Sequence, residues 1–208
     1  MDETTHLLSP KVLDRVLSFG DAWLPNWDGG PVLDRIAELF GDAARARPYL
    51  HGQFLTLRLT SAMYHRFHAP CNGTLKRVRY FSGDTWNVNP IALKRVEKLF
   101  CKNERALLET EIGPQAYPVA LVPVAAVLVA SIRLHALDGL LRTLCKGRNV
   151  VMCDHAFVKG QELGWFQHGS TILIFAPPSF WFIDGIREGL PIKIGQGLMH
   201  LPQASGSS

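Results

Sequence analysis

Charge is scarce in this chain: 19% of residues are charged against 47% hydrophobic. That balance excludes a disordered, charge-rich segment, which cannot bury enough apolar surface to offset its conformational entropy. The net charge is only +4, scattered along the chain. No Lys/Arg stripe is interleaved with aromatics, so a nucleic-acid partner is not expected. The mild excess suits an anionic surface or an anionic substrate. Cysteine is sparse too. Cys71, Cys101, Cys145 and Cys153 form no Cys-x-x-Cys pair. No signal-peptide pattern opens the sequence, so reduced thiols in a cytoplasmic setting are expected. His65-x-x-His68 and Cys153-Asp154-His155 offer ligand types without a zinc-site spacing, and no metal is expected. Long apolar runs are absent but for Ala116–Ile132, which barely reaches the roughly 17–25 residues of a spanning helix. It holds Pro118 and Pro123, and two strands broken at Pro123 explain it better. Any membrane contact is then peripheral.

What remains reads as one domain over residues 1–208, long enough to bury its own core. Residues 31–40 predict a helix, with Pro31 in its first turn, apolar Val32, Leu33, Ile36, Leu39 and Phe40, and Gly41 as the stop. Asn89-Pro90 predicts a second start, with Leu93, Val96, Leu99 and Phe100 on one face. Residues 54–60 alternate, with Leu55, Leu57 and Leu59 on one side, and predict a strand. Lys11–Phe19 reads as a short strand, and residues 21–30 as a loop bearing Trp23, Leu24 and Trp27. Further strands are expected at 106–111, 115–122, 124–134, 164–166, 171–175, 181–183 and 191–194. A helical or irregular passage falls near 137–144. Gly160-Gln161-Glu162-Leu163 recurs as Gly195-Gln196-Gly197-Leu198, a four-residue echo.

Gly169-Ser170-Thr171 carries the most chemistry. It precedes the apolar run Ile172-Leu173-Ile174-Phe175. A serine hydroxyl at the mouth of a buried strand can add to the carbonyl before it, and glycine there lets the backbone distort. Serine needs a base to become a nucleophile. Histidines stand upstream in Tyr64-His65-Arg66-Phe67-His68-Ala69-Pro70. In an extended strand residues three apart face opposite ways, so convergence of His65 and His68 needs a turn or bulge. His168 either packs beside the Gly169-Ser170 bond, polarises the Gly169 carbonyl or contacts substrate. Trp165, Phe166, Phe180, Trp181 and Phe182 are core residues or pocket walls.

These segments together resemble the phosphatidylserine decarboxylase family. So do Gly83-Asp84 with Asn87-Val88-Asn89-Pro90, Leu99-Phe100-Cys101-Lys102-Asn103-Glu104-Arg105, Lys159-Gly160-Gln161-Glu162-Leu163-Gly164-Trp165-Phe166 and Lys193-Ile194-Gly195-Gln196. The resemblance covers roughly residues 50–200 in the family's order. Two features depart from it. His168 stands where the best-known bacterial members carry Leu, and the family's Pro-x-Asp-Gly segment is not intact.

The resemblance implies an α+β fold, a β-rich single domain of packed antiparallel sheets with a few peripheral helices. It implies that Ser170 attacks the Gly169 carbonyl and cuts the chain into residues 1–169 and 170–208. Ser170 thereby becomes a pyruvoyl group, an electron sink of the kind other decarboxylases borrow from a bound cofactor. His68 takes the role of base, His65 that of proton donor, and an Asp orients His68. Asp14, within Ser9-Pro10-Lys11-Val12-Leu13-Asp14, is the candidate for that Asp, while Asp84 more simply closes a turn. Tyr64, Phe166 and His168 are candidates to line the substrate pocket. The implied partners are a phospholipid and the inner face of the cell membrane, and the implied assembly is a self-cleaved heterodimer, single or doubled. A decarboxylase of soluble amino acids on the same fold, and an uncleaved lipid- or amine-binding homologue, stay open.

Overall fold

End signals and apolar spacing account for the helices. α1 (Val32–Phe40) buries Ile36, Leu39 and Phe40 and stops at Gly41, whose φ of 66° suits a residue without Cβ. α2 (Ala43–Ala46) starts from Asp42, whose carboxylate accepts from the Ala44 amide. α3 (Pro90–Arg95) begins as expected, the Asn89 side chain accepting from the Ala92 amide at 2.7 Å. It does not run on to Phe100. Val96 leaves helical geometry, Lys98 takes a φ of 53°, and α4 (Leu99–Lys102) restarts the turn. The break still delivers Leu93, Leu99 and Phe100 to the core.

The structure is a computed structural model that describes residues 12–13, 15–20, 32–59, 64–126, 132–137, 139–140, 149–167 and 170–202. Asp14, Trp23, Leu24, Trp27, Cys145, His168 and Gly169 lie outside these residues. The strands are β1 (Val12–Leu13), β2 (Arg15–Gly20), β3 (Gln53–Leu59), β4 (Arg66–His68), β5 (Gly73–Phe81), β6 (Arg105–Ile112), β7 (Tyr117–Ala125) and β8 (Ile132–Leu134). They continue with β9 (Gly139–Leu140), β10 (Val150–Phe157), β11 (Glu162–Phe166), β12 (Ser170–Ala176), β13 (Trp181–Phe182), β14 (Ile192–Lys193) and β15 (Met199–His200).

A seven-stranded antiparallel sheet runs β10-β5-β6-β7-β12-β3-β2, and a four-stranded sheet runs β4-β11-β8-β9. Two short pairs, β1-β14 and β13-β15, complete the pairing. The large sheet has helices on one face, where Ile36, Leu39, Phe40, Leu93 and Phe100 pack on Phe54, Val122 and Leu173. The small sheet packs on the other face, where Phe67, Ile132, Leu134 and Phe166 meet Leu59, Val78 and Leu108. The fold is thus the α+β, β-rich arrangement expected.

Two differences from expectation have physical reasons. β7 runs straight through Pro123, which pairs with Ile172 of β12. On its other side the register with β6 is unchanged from Arg105↔Val124 to Leu108↔Leu121, but Val122 and Pro123 make no ladder pair there, because proline has no N–H to donate. β7 ends at Ala125, not at the proline. β3 buries Phe54 and Thr56 as well as Leu55, Leu57 and Leu59, because it lies between β12 and β2 with layers on both faces. Of the passage expected to be helical or irregular, residues 138 and 141–144 lie outside the described residues; a 3₁₀ turn (His135–Leu137) ends at its start, and β9 takes Gly139–Leu140.

The four-residue echo is real at the level of the turn. The Gln161 amide donates to the Val158 carbonyl at 3.0 Å, and the Gln196 amide to the Lys193 carbonyl at 3.1 Å. Each glutamine side-chain oxygen accepts from the amide that opens the turn, Val158 or Lys193, at 3.0 Å. Gly160 and Gly195 take φ of 78° and 81°. One sequence pattern therefore builds one turn twice.

Candidate active site

Three strands of the small sheet build the site. β11 runs antiparallel to β4, with Glu162 opposite His68 and Trp165 opposite Arg66. On its other edge Trp165 faces Arg133 of β8. Strand alternation turns Phe67, Ile132, Leu134 and Phe166 into the core and leaves Arg66, Trp165 and Arg133 on the outer face. The strands close on Gly164 because it has no side chain: a Cβ there would meet the Arg133 carbonyl oxygen at 2.2 Å and the Phe67 ring at 2.7 Å. The register slips between Glu162 and Gly164, a bulge that re-aims Glu162.

Glu162 is the electrostatic centre of the outer face. Its Oε1 accepts from Arg66 Nη1 at 2.6 Å and lies 2.7 Å from His135 Nε2. Burial alone would raise its carboxyl, but these two hydrogen bonds outweigh it and hold the group below the ordinary carboxylate value. His135 packs its ring on Trp165 at 4.9 Å.

His68 is half-buried. Tyr64 stacks on it, the rings 5.6 Å apart and 14° from parallel, with the phenol oxygen 3.1 Å from Nε2. The imidazole titrates below its ordinary value. Burial is the main cause, the Glu162 charge opposes it, and the Arg66 charge adds to it. His68 is therefore neutral near pH 7 and able to accept a proton. Burial, then the Glu162 charge, also raises the Tyr64 phenol, so it stays an undissociated hydroxyl.

His65 sits elsewhere on the ladder. Its carbonyl accepts from the Phe166 amide at 2.8 Å, which extends the pairing of β4 and β11 by one step. His65 is thus beside Phe166 while His68 is beside Glu162, about 10 Å further along the strand. Its Nε2 is fully buried. The ladder thus sets the two histidines at different steps of the β4–β11 pairing, His65 by Phe166 and His68 opposite Glu162.

Ser170 opens β12, its backbone paired with Leu59 on one side and Ala125 on the other. Only three residues separate it from Phe166 at the end of β11. Ala125 is itself clamped: its amide donates to the Glu104 carbonyl at 2.8 Å, and its carbonyl accepts from Asn103 Nδ2 at 2.9 Å. Asn103 is wholly buried, and it also donates to the Trp86 carbonyl and accepts from the Trp86 amide. Two residues on, Arg105 donates to the Leu39 carbonyl at 2.9 Å and lies over the Phe81 ring, fastening α1 to the sheet. Asp84 makes a bridge with Asn103 and accepts from the Trp86 indole.

Of the pocket candidates, Tyr64 contacts His68, and Phe166 is buried against Phe67 with ring centroids 5.6 Å apart. Phe180 is buried and Trp181 is exposed. Glu162, Arg66, His135 and Asn103 were not singled out by the sequence. Glu162 and Asn103 both lie in motifs quoted above, but only strand register shows what they touch.

Comparison with known proteins identifies the family. A profile described as phosphatidylserine decarboxylase matches residues 32–200. Curated relatives named phosphatidylserine decarboxylase proenzyme include that of Aliivibrio salmonicida, 36% identical over 176 residues. Those of Vibrio cholerae and Pseudomonas fluorescens are 37% and 38% identical over 173 and 176 residues. The matches cover 78–80% of this chain and 58–59% of the relatives. The chain thus spans somewhat over half the length of the curated relatives it matches. It belongs to the phosphatidylserine decarboxylase family.

Proposed function

We propose that this chain is a pyruvoyl-dependent decarboxylase that converts phosphatidylserine to phosphatidylethanolamine after cutting itself between Gly169 and Ser170. The observation that carries the reading is the seat of Ser170: it heads a strand held on both edges, immediately after a glycine and within four residues of the strand paired to Tyr64-His65-Arg66-Phe67-His68. A fixed residue following a pliable one suits attack on the bond between them.

In the cleavage, His68 removes the hydroxyl proton of Ser170, and the oxygen adds to the Gly169 carbonyl. The Gly169–Ser170 amide becomes an ester, and the amine of residue 170 is released. Elimination frees the Gly169 carboxylate and leaves dehydroalanine at 170. Water then hydrolyses this to the pyruvoyl ketone, with loss of ammonia. Asp14 orients His68. The pyruvoyl group supplies the electron sink for loss of the substrate carboxylate as CO₂. His65 delivers a proton to the carbon that lost it, and Tyr64, Phe166 and His168 line the pocket.

The two products, residues 1–169 and 170–208, stay together as a heterodimer. β12 keeps its pairing to β3 and β7, and β14 its pairing to β1. Among the described residues no helix is long and apolar enough to cross a membrane, and the proposed approach to lipid is peripheral, at the inner face of the cell membrane.

Denaturing electrophoresis tests the reading. Cleavage yields a small fragment of roughly 4 kDa, the share that residues 170–208 have of the 23.1 kDa chain, with a carbonyl-trapping reagent adding mass to it. One intact band with no reactive carbonyl would refute the proposal. Product analysis with phosphatidylserine and with free amino acids then identifies the substrate.

A further inference from the structure

Two large apolar side chains stand out of the segment between β5 and β6: Trp86 is 50% exposed and Ile91 62%. Ile91, Lys94 and Arg95 fall at i, i+3 and i+4 on α3 and so share one face, while Leu93 turns into the core. Lys94 and Arg95 are exposed and, among the described residues, make no ion pair. Asp84, which holds the Trp86 indole, and Glu97 are the exposed acids nearby, and Lys102 is a further exposed base.

Trp86 is held out rigidly. Its indole Nε1 donates to Asp84 Oδ2 at 3.1 Å, and its amide and carbonyl both bond to the Asn103 side chain, at 3.0 and 2.8 Å. An aromatic whose backbone is held by two hydrogen bonds and whose ring by a third has already lost part of the freedom that docking would cost. The same Asn103 amide nitrogen holds the Ala125 carbonyl, and Ala125 is the strand partner of Ser170. The loop is therefore braced against the strand end where the proposed cleavage lies.

We propose that Trp86 and Ile91, flanked by Lys94 and Arg95, dock this chain on the headgroup region of an anionic phospholipid bilayer. The inference rests on the phospholipid reading above. Tryptophan favours the boundary between headgroups and acyl chains, where its ring is apolar and its N–H stays bonded. A neighbouring isoleucine adds buried area, and each free cation gains from the negative surface. Apolar groups beside unpaired bases complement an acidic lipid surface by charge as well as by hydrophobicity.

The test is sedimentation of the full chain with vesicles of phosphatidylcholine, alone or mixed with phosphatidylglycerol, which is acidic and is not the proposed substrate. The protein is expected to pellet with the mixed vesicles far more than with the neutral ones, and less as salt rises. Ile91→Gln should weaken binding to mixed vesicles about tenfold. Lys94→Glu with Arg95→Glu should weaken it at least about 25-fold, about fivefold for each lost base. Both variants alter exposed side chains and leave the Trp86 clamp in place. Equal binding to neutral and acidic vesicles, no binding to either, or variants that bind like the parent would overturn the proposal. Sedimentation needs no turnover. An uncleaved, inactive protein that docks would sink the proposed function alone, and a cleaved, active one that ignores acidic vesicles would sink the docking alone.

Discussion

Glu162 lies directly opposite His68 on the neighbouring strand, and its charge acts on the imidazole against the direction of burial. Burial and the Arg66 charge lower the His68 value, and Glu162 raises it. The folded value is below the ordinary 6.5, so the neutral form that can accept a proton prevails down to that lower pH. If His68 is the base, the rate of self-cleavage falls on the acid side with a midpoint below pH 6.5. Glu162→Gln removes the raising charge and should move that midpoint lower. Arg66→Gln removes a lowering charge and should move it higher. A pH series of cleavage rates for the three proteins checks both signs, and shifts in a common direction would contradict the electrostatic account.

Asn103 should matter more for stability than any exposed polar residue. It is wholly buried and joins two backbone segments through three hydrogen bonds. Asn103→Ala leaves the Ala125 carbonyl without this donor and should cost about 2–4 kcal/mol. Asn103→Asp keeps the acceptor, loses both donors and adds a buried charge, so it should be worse. Denaturant titration of the two variants decides the order.

Gly164→Ala tests whether the small sheet closes as described. The added Cβ would lie 2.2 Å from the Arg133 carbonyl oxygen, a backbone atom that cannot rotate away. β8 and β11 would have to separate, at a cost on the order of 3 kcal/mol. A melting temperature unchanged from the parent would show that the strands are not paired in this way.

The twin turns make a paired prediction. Gly160→Ala and Gly195→Ala each force a residue with a Cβ to positive φ, which should cost about 1–2 kcal/mol at both sites. Equal penalties in thermal unfolding would show that the two copies do the same structural work. A penalty at one site only would show that the likeness stops at backbone geometry.

Much of this architecture was readable from local pattern because the signals are local. Asn89-Pro90 caps and starts a helix within three residues, and Gly41 ends one. β5 and β10 were not read, because both are amphipathic strands with charge in the pattern. Lys76, Arg77 and Arg79 interrupt β5, and Asp154 and His155 interrupt β10, where Lys76 pairs with Asp154 across the ladder. Pro123 misled for a related reason. A proline usually ends a strand, and only the pairing with both neighbours, unbroken with β12 and resumed with β6 at Val124, shows that this strand runs on through it. The same holds at the site. The Tyr-His-x-x-His and Gly-Ser-Thr segments were legible, whereas the partnership of Glu162 with His68 and of Asn103 with Ala125 depends on pairing between distant parts of the chain.

The two histidines can be separated by experiment because strand geometry separates them. His65 sits beside Phe166, near the end of β11 that leads to Ser170, and His68 sits opposite Glu162, further along the strand. The proposed roles predict that His68→Ala leaves the chain uncut, since the base is gone, with cleavage slowed by on the order of a thousandfold or more. His65→Ala should still cut, yet decarboxylate about 10²–10⁴-fold more slowly for want of its proton donor. The checks are a time course on denaturing gels for cleavage and CO₂ release from the cleaved protein for turnover. The reverse pattern, with His65→Ala uncut and His68→Ala cut, would exchange the roles. It would mean that closeness along β11 to Ser170 outweighs the neutral, Tyr64-bonded state of His68 in choosing the base.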